Sequence, residues 1–183
     1  MFIVAISGTP GTGKTTVSRI VASGIGAKLV SLSCFIIKSG VAEGYDRRMR
    51  AHIVDPMKLR KGLRKELSGH GKEQAIVLEG HLSHLMGADV TFVLRLDPPE
   101  LKRRLEKRGY TKAKVRENVQ SEVLDVIYAE ALERSTSRRV VVQINVSAMT
   151  PQQAAKRILN TLRSKKYKSD KVDWTRKYSR YLS

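Results

Sequence analysis

A lysine followed by two threonines can hold phosphate only if the backbone around it also turns its N–H groups inward. The stretch Gly8-Thr9-Pro10-Gly11-Thr12-Gly13-Lys14-Thr15 has the spacing for that, fitting GxxxxGK[ST] at every fixed position. Gly8, Gly11 and Gly13 permit unusual backbone dihedrals, so successive N–H groups can converge on phosphate oxygens at the positive end of the next helix. Lys14 would then reach the β- and γ-phosphates, the Thr15 hydroxyl would bind Mg²⁺, and Thr16 lies beside it on the first helical turn. The Lys14 side chain is expected to be solvated when no nucleotide is bound. A Gly-rich turn before a surface helix would explain the glycines. It would require neither the Lys-Thr pair nor the apolar run Phe2-Ile3-Val4-Ala5-Ile6 directly before the loop.

A second group of reactive side chains follows the apolar run Ala75-Ile76-Val77-Leu78, at Glu79-Gly80-His81. An acid at the carboxyl end of a buried parallel strand faces the same crevice as the phosphate loop. Glu79 is therefore a candidate to hold Mg²⁺ through water or to orient the nucleophile, against the plainer reading of a loop acid at a strand end. His81 could act as general base or position the γ-phosphate, and its place two residues after the acid favours function over packing. His84 could equally be solvated on the next helix. Cys34 is the only cysteine, which excludes an internal disulfide and a Cys-based zinc site, and it reads as a small half-buried residue rather than a reactive thiol.

The elements that position these residues alternate. Strands are expected at 2–6, 27–32, 75–78, 90–96 and 140–144, each a short apolar run. Between them, Val17, Ile20 and Val21 mark a helix after the loop, and residues 33–70 read as helices and turns closed by Ser68-Gly69-His70-Gly71. Asp55-Pro56 is a helix start with Asp as N-cap, substrate contact being the lesser reading. A helix from Glu100 to Arg108 ends at Gly109 with Arg104 and Arg108 on one face, and Thr111 opens one long helix to Arg134 with Val115, Val119, Val123, Ile127 and Ala131 along its apolar side. Thr150-Pro151 caps a last regular helix through Leu162. The pattern predicts a doubly wound, parallel five-stranded α/β sheet.

Charge is the unusual feature of the composition. Thirty-five Lys and Arg against 17 Asp and Glu give 183 residues a net charge of +18, and 24 of those bases fall in residues 44–65, 102–116 and 163–183. An anionic polymer is the partner such a surface suggests. No apolar run is long enough for a membrane span, so the chain reads as cytoplasmic, or nuclear if its source has a nucleus. In the tail, Tyr167, Trp174, Tyr178 and Tyr181 share a helical face with Lys171, among eight bases and only Asp170 and Asp173. Aromatics interleaved with cations can stack bases, and they can equally pack back on the domain, the reading slightly favoured.

With the phosphate loop, the acid-x-His strand end and Arg108-Gly109-Tyr110 in place, most of residues 2–134 resembles the adenylate kinase isoenzyme 6 family of archaea and eukaryotes. Beyond the loop, the narrowing pieces are Phe92-Val93-Leu94-Arg95 and Asn118-Val119-Gln120-Ser121-Glu122. The resemblance implies a P-loop NTPase of the nucleoside monophosphate kinase type. Residues 1–163 would form one domain, with an acceptor-binding insertion near 31–54 and a short lid near 107–117, and 164–183 a basic aromatic tail. It also implies that Gly11, Gly13, Lys14, Thr15 and Thr16 bind ATP with Mg²⁺, and that Arg108 is a lid arginine contacting it. AMP would be the default acceptor, and an ATPase role in maturing the small ribosomal subunit would bring a ribosomal protein and rRNA as partners. The alternative is a nucleotide-switched RNA- or ribosomal-protein-binding assembly factor in which hydrolysis is the working reaction. The chain departs from the family in three places. Its crevice acid is Glu79 rather than Asp, implying metal contact through water; its acceptor region is basic; and it lacks the lysine expected near Met149-Thr150.

Overall fold

The computed structural model describes residues 1–48, 50–69 and 75–182. His70 and Gly71 of the expected helix stop lie outside them. Five parallel strands form the sheet: β1 (Ile3–Ser7), β2 (Lys28–Ser31), β5 (Ile76–Glu79), β6 (Val90–Arg95) and β7 (Val140–Asn145), in the order β2-β5-β1-β6-β7. Inner strands pair on both edges and are covered on both faces, so β1, β5 and β6 are almost wholly apolar and buried. The connection from β1 runs to the edge strand β2, whereas the one from β5 crosses to the other side of β1 to reach β6, so the chain leaves these neighbouring strands in opposite directions and opens a crevice at their carboxyl ends.

Two apolar clusters sandwich the sheet. The larger joins α1 (Lys14–Gly24), α4 (Pro98–Lys107), α5 (Lys112–Val123), α7 (Pro151–Ser164) and α8 (Trp174–Tyr178) to β1, β6 and β7 through Val17, Val21, Leu101, Leu105, Val119 and Ile158. The smaller packs α2 (Leu32–Ser39), α3 (Pro56–Ser68) and a 3₁₀ turn (Ser83–Met86) on β5 through Leu32, Leu59, Leu63 and Leu78. Asp55 caps α3 as its sequence suggests, accepting from the backbone N–H of Met57 at 2.7 Å, and Thr150 with Gln153 forms a reciprocal capping box on α7.

Four sequence expectations are corrected. Residues 44–53 form a small antiparallel hairpin, β3 (Gly44–Asp46) with β4 (Ala51–Ile53), in place of helix and turn, supported by an edge-on contact of Tyr45 and His52. The long helix breaks at Asp125, which adopts a left-handed φ of 57°, before α6 (Val126–Glu133). Its cause lies far away in sequence: the buried Arg95 guanidinium draws in both the Glu122 carbonyl and the Asp125 carboxylate. Cys34 is exposed, not half-buried. Finally, the tail is not one helix. From Lys166 it runs back along the outer edge of β7, where the Asp170 N–H donates to the Gln143 carbonyl at 3.1 Å and the Asp170 carboxylate accepts from the Asn145 N–H at 2.9 Å. It then turns into α8, burying Trp174 and Tyr178 at 8% and 7% exposure. Asp170 also pairs with Arg157, and Tyr178 donates its hydroxyl to Asp97. Two of the tail's aromatics are thus core residues, and an otherwise open strand edge is covered. No helix among the described residues is long and apolar enough to cross a membrane.

Candidate active site

The phosphate loop needs its glycines for different reasons. Gly8 has φ 134°, and a Cβ there would sit 2.4 Å from the Leu94 carbonyl oxygen; Gly13 is the left-handed residue from which α1 starts. The loop is tied internally at Thr9. Its carbonyl accepts from the Thr12 N–H at 3.2 Å, the Thr12 hydroxyl at 2.9 Å and the Lys14 ammonium at 3.1 Å. Lys14 is therefore not solvated, as its sequence position suggested, but folded over the loop at 7% exposure. Burial lowers its pKa to about 8, opposed by Glu79 and Glu122 and assisted by Arg108.

Glu79 ends β5 almost buried and accepts from the Thr15 hydroxyl at 3.0 Å. Hence the two proposed metal-binding residues are already neighbours. Gly11, Gly13, Lys14, Thr15 and Thr16 line a hollow of about 100 Å³ over the loop with Arg108, the C-cap of α4, beside them. Arg104, one turn earlier, reaches the Gly11 carbonyl at 3.4 Å. A larger crevice of about 390 Å³ holds Lys14, Glu79 and His81 on one side. Its far walls are Ile36 of α2, Arg50 and His52 of the hairpin, and Lys114 and Asn118 of α5. The two hollows share Pro10 and Lys14, so the eight candidate site residues Gly11, Gly13, Lys14, Thr15, Thr16, Glu79, His81 and Arg108 line two adjoining hollows.

Solvent reaches His81 from the crevice mouth, yet the walls strip enough water from its ring to lower its pKa to about 4, with Lys14, His84 and Lys114 adding to the effect. The open side tempers the size of that shift and not its direction. The imidazole is neutral at pH 7 and able to accept a proton. His84, which could have been solvated, is instead buried between the Ser7 hydroxyl at 3.0 Å and Glu130 at 2.8 Å; burial lowers its pKa against the pull of Glu130. It braces the loop after β5 and is not among the residues lining either hollow.

Of the basic residues in 44–65 that could have bound an acceptor, only Arg50 lines the crevice. Lys58 pairs with Glu43 at 2.5 Å, and Arg60 lies against Gly87. The Arg50 carbonyl accepts from the Lys114 ammonium at 3.2 Å, joining hairpin to α5 across the space. The residues missed by spacing alone are Arg95 and Glu122, which meet under the loop. One signal was available: an arginine inside an apolar strand must be paired when that strand is buried.

A glycine-rich loop between the first strand and helix, an acid at the end of the adjacent strand and an arginine beside the loop, on a five-stranded parallel sheet, define a P-loop NTPase of the kinase type. Residues 4–125 match the family described as AAA domain. The chain belongs to that family, and with it to a set of archaeal proteins carrying the name "Putative adenylate kinase". The relative from Pyrococcus furiosus is 39% identical over 181 residues, covering 98% of this chain and 95% of the relative. That from Methanocaldococcus jannaschii is 37% identical over 180 residues, covering 98% and 97%. Among solved structures, shikimate kinase from Bacteroides thetaiotaomicron superposes with a TM-score of 0.55 at 19% identity, covering 88% of this chain and 98% of the kinase. Deoxyadenosine kinase from M. mycoides gives 0.54 at 14%, covering 88% and 100%. These likenesses concern the fold.

Proposed function

We propose that this chain transfers the γ-phosphoryl group of ATP to a nucleoside monophosphate, AMP being the default acceptor, with Mg²⁺ as cofactor. The observation that carries this reading is the meeting of two hollows at Lys14, one over the phosphate loop and one walled by the hairpin and α5. A donor triphosphate in the first would present its terminal phosphorus to an acceptor phosphate in the second. The new bond joins an acceptor phosphate oxygen to that phosphorus as the bond to the β,γ-bridging oxygen breaks, and ADP leaves.

Catalysis of such a transfer is largely positioning and charge neutralisation. In this reading the loop N–H groups and Lys14 hold the β- and γ-phosphates, Arg108 meets the charge on the donor, and Arg50 and Lys114 meet that on the acceptor. His81, neutral and beside Lys14, orients the γ-phosphate or a water. The Thr15 hydroxyl and Glu79 carboxylate, 3.0 Å apart, are hard oxygen donors of the kind Mg²⁺ takes. No group of three or more His, Cys, Asp or Glu able to hold a metal occurs among the described residues, which suits an ion bound chiefly by phosphate and water. When bound, the ion would supply further neutralisation of the phosphates. Incubation with Mg-ATP and each monophosphate, separating diphosphate from free phosphate, tests the proposal. Transfer to AMP much faster than release of free phosphate is expected, and the reverse refutes it.

A second reading has its own observation. On the other side of α4 and α5 is a groove of about 400 Å³ with Val115, Val119, Tyr110 and Tyr181 inside and Lys102, Lys112, Arg116 and Arg180 around it, against one acid, Glu106. A cationic groove with tyrosine walls suits RNA or an acidic protein segment. It supports the nucleotide-switched assembly factor that resemblance to the adenylate kinase isoenzyme 6 family implies, with rRNA and a small-subunit ribosomal protein as partners. Free phosphate exceeding diphosphate, and rising when RNA is added, is its expected signature.

A further inference from the structure

Glu122 is fully enclosed, and every contact it makes is with a donor. One carboxylate oxygen accepts from the Arg95 Nε–H at 2.8 Å and from the Leu96 N–H at 3.1 Å; the other accepts from the Thr9 hydroxyl at 2.5 Å. Burial pushes its pKa up, while Arg95, the Thr9 hydroxyl and the Leu96 N–H act against that rise. Arg95 is equally enclosed and satisfied, using four of its five N–H groups on Glu122, Asp125 and Gln143. An arrangement of this kind contributes little net stability over a well-packed apolar one. It does fix the position of whatever it touches, and one of those groups is the phosphate loop.

Thr9 is where the fixing takes effect. Its hydroxyl is held by Glu122, and its carbonyl is the acceptor on which Lys14, Thr12 and the Thr12 N–H converge. The same helix face carries Lys114, Asn118 and Glu122 at four-residue steps. The first touches the acceptor-side hairpin at Arg50, the second lines the crevice, and the third holds the loop. We propose that Glu122 is a positioning residue for phosphoryl transfer, setting the shape of the phosphate loop through the Thr9 hydroxyl and registering it against the acceptor wall carried by α5.

This rests on the phosphate loop being the working nucleotide site, so the experiment begins with Mg-ATP binding to the unaltered full chain; no binding there would fail that reading rather than this one. Thr9→Val, Thr9→Ser, Glu122→Gln and the Thr9→Val/Glu122→Gln double variant are then compared by Mg-ATP titration and by kcat, well below their melting temperatures. Loss of one partner of a buried bond predicts about a tenfold or greater weakening of ATP binding or of kcat in Thr9→Val and in Glu122→Gln. Thr9→Ser, which keeps the hydroxyl, restores most of the loss. The double variant is no worse than the worse single one, because the Thr9–Glu122 bond that Thr9→Val removes is already disrupted by Glu122→Gln. A merely structural role would lower the melting temperature and leave the folded chain's kinetics unchanged. That result, Thr9→Ser as damaging as Thr9→Val, or losses that multiply in the double variant, overturns the proposal. If Glu122→Gln does not fold, the two Thr9 variants decide alone.

Discussion

Replacing Lys14 by methionine should stabilise the protein while abolishing turnover. The residue is 7% exposed and its pKa is held at about 8, against the ordinary lysine value of 10.5. At roughly 1.4 kcal/mol per pH unit, that difference corresponds to about 3 kcal/mol of folding free energy lost at neutral pH. Below pH 8 both folded and unfolded chains carry the proton and the penalty is complete. Between pH 8 and 10.5 the folded lysine releases its proton while the unfolded one keeps it, so its contribution to stability rises with pH. Methionine is similar in length and carries no charge. It forfeits the bond to the Thr9 carbonyl, about 1 kcal/mol, though that oxygen keeps its two bonds from Thr12. The net gain at pH 7 is about 2 kcal/mol, or about 4–8 °C in melting temperature for a chain of this size. Thermal melts of both proteins in EDTA without nucleotide, at pH 7 and pH 10, measure it. Other titrating groups cancel in the difference. A variant melting at or below the original at pH 7, or a gap that does not shrink at pH 10, refutes the reasoning.

Three further outcomes follow from the geometry. His81→Ala should reduce phosphoryl transfer or hydrolysis by roughly 100-fold with ATP affinity little changed; an equal loss of ATP binding in a titration would make it a packing residue. Trp174→Ala should cost about 3–5 kcal/mol in denaturant melts, whereas Trp174→Phe should cost far less, since the indole N–H it removes is buried without an acceptor among the described residues; equal losses would contradict the packing. Gly8→Ala forces a Cβ against the Leu94 carbonyl at a φ of 134°, so at least tenfold weaker ATP binding is expected by calorimetry, and full-strength binding would show that the loop tolerates the shift.

The sheet and the phosphate loop were legible in the sequence because both are local. A buried parallel strand is a short apolar run wherever it occurs, and the loop's glycines and lysine are neighbours in the chain. Caps were legible for the same reason, as at Asp55 and Thr150. What escaped depends on distance. Nothing within residues 111–134 announces a break at Asp125, because the guanidinium that breaks the helix comes from β6. Glu122 entered the sequence reading only within the segment Asn118–Glu122 that narrows the resemblance, because the partners that give it a role, Arg95 and Thr9, arrive from two other elements. The hairpin escaped because three-residue strands have too little pattern to read. Lys14 looked solvated because its burial follows from a carbonyl five residues back along the loop turning toward it. Trp174 and Tyr178 were correctly read as able to pack, but the groups that hold their helix, Asp97 bonded to the Tyr178 hydroxyl and the Val123 carbonyl bonded to the Thr175 hydroxyl, are remote.

The covering of β7 by residues 166–173 also orders events during synthesis. β7 and the outer face of α5 leave the ribosome before the segment that finishes them, and the last contact, Tyr178 with Asp97, joins residues 81 apart. At roughly 5–20 residues per second, making the stretch from β7 to α8 takes about 2–7 seconds, during which the sheet has an unpaired margin and a bare apolar floor. A nascent chain that stalls there presents what binds a chaperone or another unfinished copy of itself. Completion of residues 166–178 closes the strand margin and the apolar floor together.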